Sequence, residues 1–426
     1  MAQSAERTRP GRWRAFASPT LAWFGCISVS AVVWLVADRG RIPSILDVEF
    51  GFGPAARILV ERSGGEWIQF RMPLIPVFLA IMARCSLGAF AAYLFKNAIF
   101  FALTVHAFRV VWLRSTWAPG SLRIAALLWI CTFPHLVLYA TALEYEEGYV
   151  IHMVNAATVM LLFGPRQRVG PWRSGVQFGV LPAALYLTKA SLLPLAIVLA
   201  ACGALAVRGA RARFAILGLL ATAVLGWGLA TLSHTGEFHI GTSYDGINLL
   251  KGNNAFVAEY YPERSLDRAP LEVACAEDTT EWDEDRCARR LALRYIMNHP
   301  LSSLRAFAAK AWVVFGEVRR VPFRDGPDTP KRRLLATMTT AYMCVFRLLL
   351  VLAVLLTART LSRPGRACTK AAAGLFWVAI AAYSAPLIVG FAYTRHVAVL
   401  IFPVLIFVAF LWPHRDDERA TGDGRA

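Results

Sequence analysis

The sequence predicts an all-α polytopic membrane protein, and three observations support that fold class. Hydrophobic residues make up 57% of the 426 residues, and the mean hydropathy is +0.48, which is too apolar for a water-soluble fold. Apolar runs long enough to cross about 30 Å of hydrocarbon recur along the chain. Arginine and lysine lie mainly in the short segments between those runs. The net charge of +17 therefore indicates membrane topology rather than nucleic-acid binding, which favours basic residues gathered on one face or tail.

The apolar runs predict a bundle of about ten transmembrane helices. The candidate spans are 19–37, 86–112, 122–142, 148–164, 175–188, 190–207, 212–232, 337–358, 369–391 and 396–413. The runs 175–188 and 190–207 are short and meet at Thr188–Ser191, so they form either one hairpin or one long broken helix. The first span is too long for a cleaved signal peptide and is interpreted as a retained anchor.

Positive charges orient the bundle. Arginines precede the first span and recur in alternate turns, which places both termini on the cytoplasmic side. The opposite face then receives 38–85, 143–147, Lys189, 233–336 and 392–395. The predicted organisation is a basic cytoplasmic segment 1–18, a transmembrane bundle 19–232 that includes the first outer loop 38–85, an outer-face loop region 233–336, C-terminal transmembrane helices 337–413 and a cytoplasmic tail 414–426.

The outer-face region 233–336 has predicted helices and turns of its own. Gly252, Asn253 and Asn254 are turn residues suited to bringing backbone N–H groups close to a ligand. The pattern from Glu281 to Met297 predicts an amphipathic helix. From Leu301 to Gly316 apolar residues alternate with basic ones, which favours a helix lying in the headgroup layer.

Cys275 and Cys287 lie in the same outer-face region, twelve positions apart. An oxidising compartment favours their pairing, so a disulfide is predicted, with two free thiols as the alternative. A zinc site is not indicated, because no second Cys or His pair has the spacing of zinc ligands.

Charged residues recur where the outer face meets the membrane. Asp47 and Glu49 follow the first span, and Arg71 precedes the apolar run 72–79. A second acidic patch, 144–147, lies between the third and fourth spans. Lys189 lies between two apolar runs, a costly position unless it faces water, headgroups or a partner.

The order of these features resembles the C-type (GT-C) membrane glycosyltransferases, which include protein O-mannosyltransferases and the aminoarabinose transferases that modify lipid A. The shared features are the acidic pair after the first span, the run from Arg71 to Leu79, the Lys189 turn, the Gly252–Asn254 loop and the run Tyr393–Arg395 before the last span. Val48 separates the two acids, whereas many relatives carry an adjacent Asp-Glu pair, so the sequence leaves open which acid is catalytic.

The resemblance implies an enzyme that moves a sugar from a polyprenyl-phosphate donor to a lipid, polysaccharide or protein acceptor on the periplasmic face of a bacterial inner membrane. It implies that Asp47 or Glu49 is the general base that takes the acceptor proton. Negative charge builds on the leaving phosphate, so basic side chains are expected to bind it, namely Arg71, Lys189 and Arg395. The residues implied to line the acceptor cavity are Glu144, Glu147, Gly252, Asn253 and Asn254. No metal or organic cofactor is expected.

The sequence also allows other interpretations. Asp47 and Glu49 fit solvated loop acids, and Arg71 fits a helix-end arginine whose guanidinium reaches the headgroups. A transporter or flippase of lipid-linked saccharides would use the same charged cavity without forming a bond. An assembly partner in a cell-envelope complex would explain the spans but leave Asp47 and Arg71 without a role.

Overall fold

The structure of the protein, a computed structural model, is helical throughout the residues that it describes. Those residues are 23–25, 27–29, 31–32, 52–61, 68, 70–114, 134–143, 145–163, 171–207, 209–257, 275, 280–316, 330–363 and 367–412, and no β-strand occurs among them. Asp47, Glu49 and Glu144 lie outside these ranges, as do most of the predicted span 19–37 and the first part of the predicted span 122–142.

Fourteen α-helices in the described ranges have both ends defined. They are α1 (Phe52–Glu61), α2 (Leu74–Arg84), α3 (Ala89–Arg114), α4 (Pro134–Thr141), α5 (Glu147–Phe163), α6 (Pro171–Thr188), α7 (Leu193–Ala206), α8 (Ala210–Thr235), α9 (Asp245–Lys251), α10 (Glu281–Asn298), α11 (Pro300–Gly316), α12 (Pro330–Ser362), α13 (Ala367–Val389) and α14 (Ala398–Leu411). Short 3-10 turns, Ala190–Leu192 and Thr394–Val397, precede α7 and α14.

Four helices in the described part are long and apolar enough to cross a membrane. They are Ala89–Val111 of α3, α8, Thr337–Ser362 of α12, and α13. These segments coincide with the predicted spans 86–112, 212–232, 337–358 and 369–391. Five further apolar helices are shorter, at Leu74–Arg84, Glu147–Phe163, Phe178–Thr188, Ala190–Ala206 and Arg395–Leu411. The protein is therefore α-helical in its described part, with four helices of membrane-crossing length.

The two short runs that meet at Lys189 form a helical hairpin. Lys189 has an extended backbone, with φ −155° and ψ 119°, which interrupts the helix between α6 and α7. The two helices then pack against each other. Gly203, near the end of α7, faces Phe178, in the first half of α6, so closely that an added Cβ would lie 3.0 Å from the Phe178 ring. Contact between the two distant ends excludes one long broken helix and leaves Lys189 at the tip of the hairpin.

The predicted first outer loop 38–85 contains the packed helices α1 and α2. Arg84 Nη2 donates to the carbonyls of Leu59 and Val60 at 3.1 and 3.2 Å, which caps the C-terminal end of α1. Helix α2 is apolar, but its 11 residues are too few to cross a membrane, so the sequence did not predict it as a span. The pair brings Phe52 and Arg71 to the site described below.

Helices α5 and α14 form the centre of the bundle. Nearly every residue of each is buried. A helix that is apolar on all sides has no stripe left for solvent, so other helices must enclose it. Helix α5 contacts α3, α6, α13 and α14, and α14 also contacts α12. The N-terminal end of α5 therefore holds Glu147 at the edge of the core.

The fully buried Lys96, on α3, caps the C-terminal end of α4. Its Nζ donates to the carbonyls of residues 140, 141 and 142 at 3.2, 2.9 and 2.8 Å. Carbonyls at a helix end lack intrahelical partners, and the helix dipole favours a cation there. The cap holds the backbone just ahead of Glu146 and Glu147.

The two helices predicted within region 233–336 are confirmed. The pattern from Glu281 to Met297 corresponds to α10, and the pattern from Leu301 to Gly316 corresponds to α11. Thr280 caps α10, because its hydroxyl accepts a hydrogen bond from the Asp283 N–H at 3.2 Å.

Candidate functional site

A cavity of about 1030 Å³ lies where residues 238–251 and α10 meet the helical bundle. Its lining comes from the start of α1, the segment before α2, the turn before α5, the Lys189 turn, residues 238–251, α10, and the chain between α13 and α14. The basic side chains among the described lining residues are Arg71, Lys189, Lys251, Arg289 and Arg395, and the carboxylates are Glu146 and Asp245. This excess of positive charge favours an anionic ligand.

Aromatic side chains supply much of the remaining lining. They are Phe52, Tyr145, Phe238, Tyr244, Trp282, Phe391 and Tyr393. Arg395 packs against two of them, with its Cζ 4.1 Å from the Tyr393 ring centroid and 5.2 Å from that of Tyr145. Rings at these distances stabilise a guanidinium through the negative potential of their faces.

Glu147 is the centre of a buried ion network behind the residues that line the cavity. Its side chain is 3% exposed, and its Oε2 lies 3.3 Å from Arg395 Nε. Its Oε1 lies 3.4 Å from His396 Nε2 and 3.9 Å from Lys189 Nζ. Lys189 Nζ also lies 2.5 Å from Glu146 Oε2. Glu147 thus lies behind the cavity lining, and its partners reach the cavity.

His396 is held so that its Nε2 faces Glu147. Its Nδ1 accepts a hydrogen bond from the Tyr393 N–H at 3.1 Å, so a neutral ring carries its proton on Nε2. Tyr383 Oη donates to the His396 carbonyl at 2.9 Å. The turn that carries Arg395 is thereby attached to both α13 and α5.

Arg71 reaches the cavity from the segment between α1 and α2. Its Cζ lies 5.0 Å from the Phe52 ring centroid and 5.9 Å from that of Tyr244. Lys251 Nζ lies 5.0 Å from the same Tyr244 ring. Tyr244 therefore brings together two cations from distant parts of the chain.

Three side chains of the bundle anchor residues 239–241, which line the cavity. Tyr186 Oη donates to the Ile240 carbonyl at 2.6 Å, and Trp227 Nε1 donates to the Gly241 carbonyl at 2.8 Å. Thr231 Oγ1 accepts from the N–H of His239 at 3.1 Å. The backbone of residues 239–241 is therefore held on α6 and α8.

Two carboxylates order the segment 242–246, and one of them, Asp285, holds it to α10. Asp245 accepts hydrogen bonds from the N–H and the hydroxyl of Thr242 at 2.9 and 3.0 Å. Burial raises the pKa of Asp245, and the Thr242 donors oppose that rise. Asp285 accepts from the Gly246 N–H and pairs with Arg289 at 2.8 Å. A Cβ at position 246 would lie 2.1 Å from the Asp285 carbonyl oxygen, so this contact requires glycine.

The imidazole of His239 stacks on the indole of Trp282. Their ring centroids are 3.7 Å apart and the rings are inclined by 7°. His239 Nε2 lies 2.9 Å from Glu237 Oε2, and Arg286 also binds Glu237 and lowers the pKa of that carboxyl. Trp282 Nε1 is buried and has no hydrogen-bond partner among the described residues. Both rings line the cavity.

Lys310, on α11, is fully buried beneath the cavity wall. Its Nζ donates to the carbonyls of Gly252, Val389 and Gly390 at 2.9, 3.1 and 2.7 Å. Burial lowers the pKa of Lys310 to about 7. Because Val389 and Gly390 line the cavity, Lys310 links the position of α11 to the shape of that wall.

Gly252, Asn253 and Asn254, which were expected to line the acceptor cavity, are not among the described residues that line this cavity. Asn253 Nδ2 donates to the Leu249 and Val389 carbonyls at 2.8 and 2.7 Å. Asn254 Nδ2 donates to the Leu250 carbonyl at 2.8 Å. The two amides satisfy carbonyls at the end of α9 and at the end of α13, so they are not directed at a ligand.

Cys275 and Cys287 form the predicted disulfide. Cys287 lies on α10, between Asp285 and Arg289. The bond attaches residue 275 to the helix that supplies Trp282 and Arg289 to the cavity.

Of the residues expected to act on substrate, Arg71, Lys189 and Arg395 lie on one cavity. Glu147 lies behind them, and Asp47, Glu49 and Glu144 lie outside the described residues. Sequence reasoning did not assign a role to Tyr244, Lys251, His239, Trp282 or Lys310. A lysine within an otherwise apolar stretch of α11 was the available signal for Lys310.

Among the described residues, no group of three or more His, Cys, Asp or Glu side chains is placed to hold a metal ion. Comparisons of the chain with models of protein families, with curated proteins and with solved structures give no match.

Proposed function

We propose that the protein is an integral membrane glycosyltransferase of the C type, which moves a sugar from a polyprenyl-phosphate donor to an envelope acceptor. The observation that supports this most strongly is the single cavity that joins Arg71, Lys189 and Arg395 to aromatic rings beside apolar helices. A polyprenyl-phosphate sugar has an apolar tail, an anionic phosphate and a polar ring. The cavity offers a matching environment for each part.

The basic groups suit the phosphate. A planar guanidinium matches phosphate oxygens with two parallel N–H bonds, and a lysine adds a point charge. Glu146 and Glu147 hold Lys189 and Arg395 in place before any ligand arrives. Such positioning reduces the reorganisation that stabilising the leaving phosphate requires.

In the proposed reaction, the acceptor oxygen or nitrogen bonds to the anomeric carbon while the bond from that carbon to the phosphate oxygen breaks. The electron pair leaves on the phosphate oxygen, whose charge Arg71, Lys189 and Arg395 stabilise. The acceptor proton passes to a carboxylate, which we assign to Asp47 or Glu49.

The finer architecture belongs to the same proposal. The shorter apolar helices other than Leu74–Arg84 would complete, with the four membrane-length ones and the predicted spans 19–37 and 122–142, a bundle of about ten helices of the C type. We place the cavity on the periplasmic face of a bacterial inner membrane, with both termini in the cytoplasm. The Cys275–Cys287 disulfide beside the cavity supports that side, because disulfides persist in oxidising compartments.

Mass spectrometry of the envelope glycolipids, glycans and glycoproteins in a deletion strain tests the activity. One sugar modification should be missing, and the wild-type gene should restore it. Asp47→Asn or Glu49→Gln should fail to restore it, which would also identify the base. Arg71→Ala should restore it weakly, at a rate that increases with the donor level. Arg57→Ala, which changes an exposed arginine on α1 outside the cavity, is the matched control and should restore it fully.

Unchanged spectra in the deletion strain would contradict the proposal. A transporter would give a different result in proteoliposomes: labelled donor would cross the bilayer with no new glycosidic bond. Full activity of both Asp47→Asn and Glu49→Gln would remove these two acids from the mechanism.

A further inference from the structure

The stacked rings of His239 and Trp282 belong to two residues that line the cavity. Trp282 covers one side of the imidazole, and Glu237 binds its Nε2 edge. The His239 side chain nevertheless keeps 23% of its surface exposed, and the residue lines the cavity. No other ring of the described residues stacks on the imidazole face opposite Trp282. We propose that this face is a platform for a pyranose ring of the sugar substrates, an inference that rests on the proposed glycosyltransferase function.

The platform is held rigid from three sides. The His239 N–H is bound by Thr231, and the next two carbonyls are bound by Tyr186 and Trp227. Trp282 is itself almost fully buried behind the imidazole. A rigid flat surface binds a flat ligand with little loss of side-chain entropy.

The surroundings match a sugar better than a wholly apolar ligand. One face of a pyranose carries C–H groups, which pack on aromatic faces, and its rim carries hydroxyls. At the edge of the platform lies the Glu237 carboxylate, and the same cavity presents the side chains of Asn248 and Arg289. These groups are suited to accepting from and donating to hydroxyls around a stacked ring.

Saturation-transfer NMR on the full chain tests this platform. The protein would be placed in nanodiscs free of glycolipids and of glycoside detergents, since those would compete for the site. The probes are methyl α-mannopyranoside, methyl α-glucopyranoside, methyl 4-amino-4-deoxy-arabinopyranoside and the matching sugar phosphates. Geranyl phosphate, a short polyprenyl phosphate, serves as an independent reference ligand.

At least one probe should receive saturation on its ring C–H protons. His239→Ala should weaken that binding by about two- to tenfold, the effect of losing one aromatic stacking partner. His239→Phe keeps a flat ring and should stay within about twofold of wild type. Leu293→Ala, an exposed change on α10, is the matched control and should leave glycoside binding unchanged.

The sugar phosphates distinguish a donor sugar from an acceptor sugar. A donor sugar is indicated if the sugar phosphates bind more tightly than the neutral glycosides and if Arg71→Ala removes that difference in affinity. Equal affinities of the sugar phosphates and the neutral glycosides indicate an acceptor sugar.

Undiminished glycoside binding in a His239→Ala protein that still binds geranyl phosphate would overturn the platform alone. A wild-type protein that binds geranyl phosphate but no sugar probe would overturn it as well. Failure of the wild type to bind geranyl phosphate would instead count against the proposed function. If His239→Ala also fails to bind geranyl phosphate, glycoside binding is compared between His239→Phe and His239→Leu, because only His239→Phe retains a flat ring. Equal glycoside binding by these two variants would overturn the platform.

Discussion

Glu147 and Arg395 form a buried ion pair, with Arg395 Nε 3.3 Å from Glu147 Oε2. Glu147 begins α5, and Arg395 lies in the turn before α14, so the pair joins the two central helices of the bundle at the cavity. Removal of one member leaves the other charge buried without compensation, which is the costly way to break such a pair.

We expect Glu147→Gln to destabilise the protein by about 3–5 kcal/mol, because Arg395 would lose its carboxylate. Thermal unfolding in nanodiscs, followed by tryptophan fluorescence, measures the change. The control is Glu61→Gln, which removes an exposed pair with Arg57 at 4.0 Å and should cost no more than about 0.5 kcal/mol. Equal stability of Glu147→Gln and wild type would show that the pair does not hold the two helices.

Lys310 should give the protein a pH-dependent stability. Burial lowers the pKa of Lys310 from 10.5 to about 7, so between these values the unfolded chain binds a proton that the folded chain does not. The free energy of unfolding should therefore rise as the pH increases from about 7 to about 10. Lys310→Met keeps the apolar stem, removes the titration, and should flatten that rise.

Unfolding midpoints between about pH 6 and pH 10 would be compared for wild type, Lys310→Met and the exposed control Arg305→Met. The control should follow the wild-type curve. Parallel curves for wild type and Lys310→Met would mean that Lys310 does not titrate in this range.

Gly252→Ala should destabilise the cavity wall. A Cβ at position 252 would lie 1.7 Å from the Gly390 carbonyl oxygen, a backbone atom that cannot rotate away. We expect a loss of about 1–3 kcal/mol, or more if the end of α13 must shift. Gly374→Ala, where an added Cβ meets nothing within 4 Å, should instead stabilise α13 by about 0.5–1 kcal/mol. The same unfolding assay separates the two outcomes, and a neutral Gly252→Ala would refute the close contact.

The Cys275–Cys287 disulfide should add two alkylation sites on reduction. Denatured protein treated with iodoacetamide would gain two further labels by mass only after reductant is added. Replacement of both cysteines by alanine should cost about 3 kcal/mol, as expected for a loop of this length. Full labelling without reductant would show that the thiols are free.

The apolar runs predicted the helical class and, among ten spans, the four helices of membrane-crossing length. The patterns of apolar and charged residues predicted α10 and α11, because such patterns depend on residues that are close in the sequence. Helix α2 was missed since its 11 residues fall below the length of a span, although it is strongly apolar. The hairpin at Lys189 was one of two alternatives, and only the packing of α6 on α7 decided between them.

The sequence by itself determined that the chain is helical and apolar and that Lys189 is in a costly position, and the resemblance implied that Arg71, Lys189 and Arg395 bind a phosphate. Only the tertiary structure decided that these three share a cavity, that Glu147 lies behind it, and that the Asn253 and Asn254 amides face carbonyls. It also brought His239 onto Trp282 and Lys310 onto three carbonyls. The physical reason is that hydrophobic period and length are local properties, whereas a buried charge or ring finds its partner through the packing of distant helices.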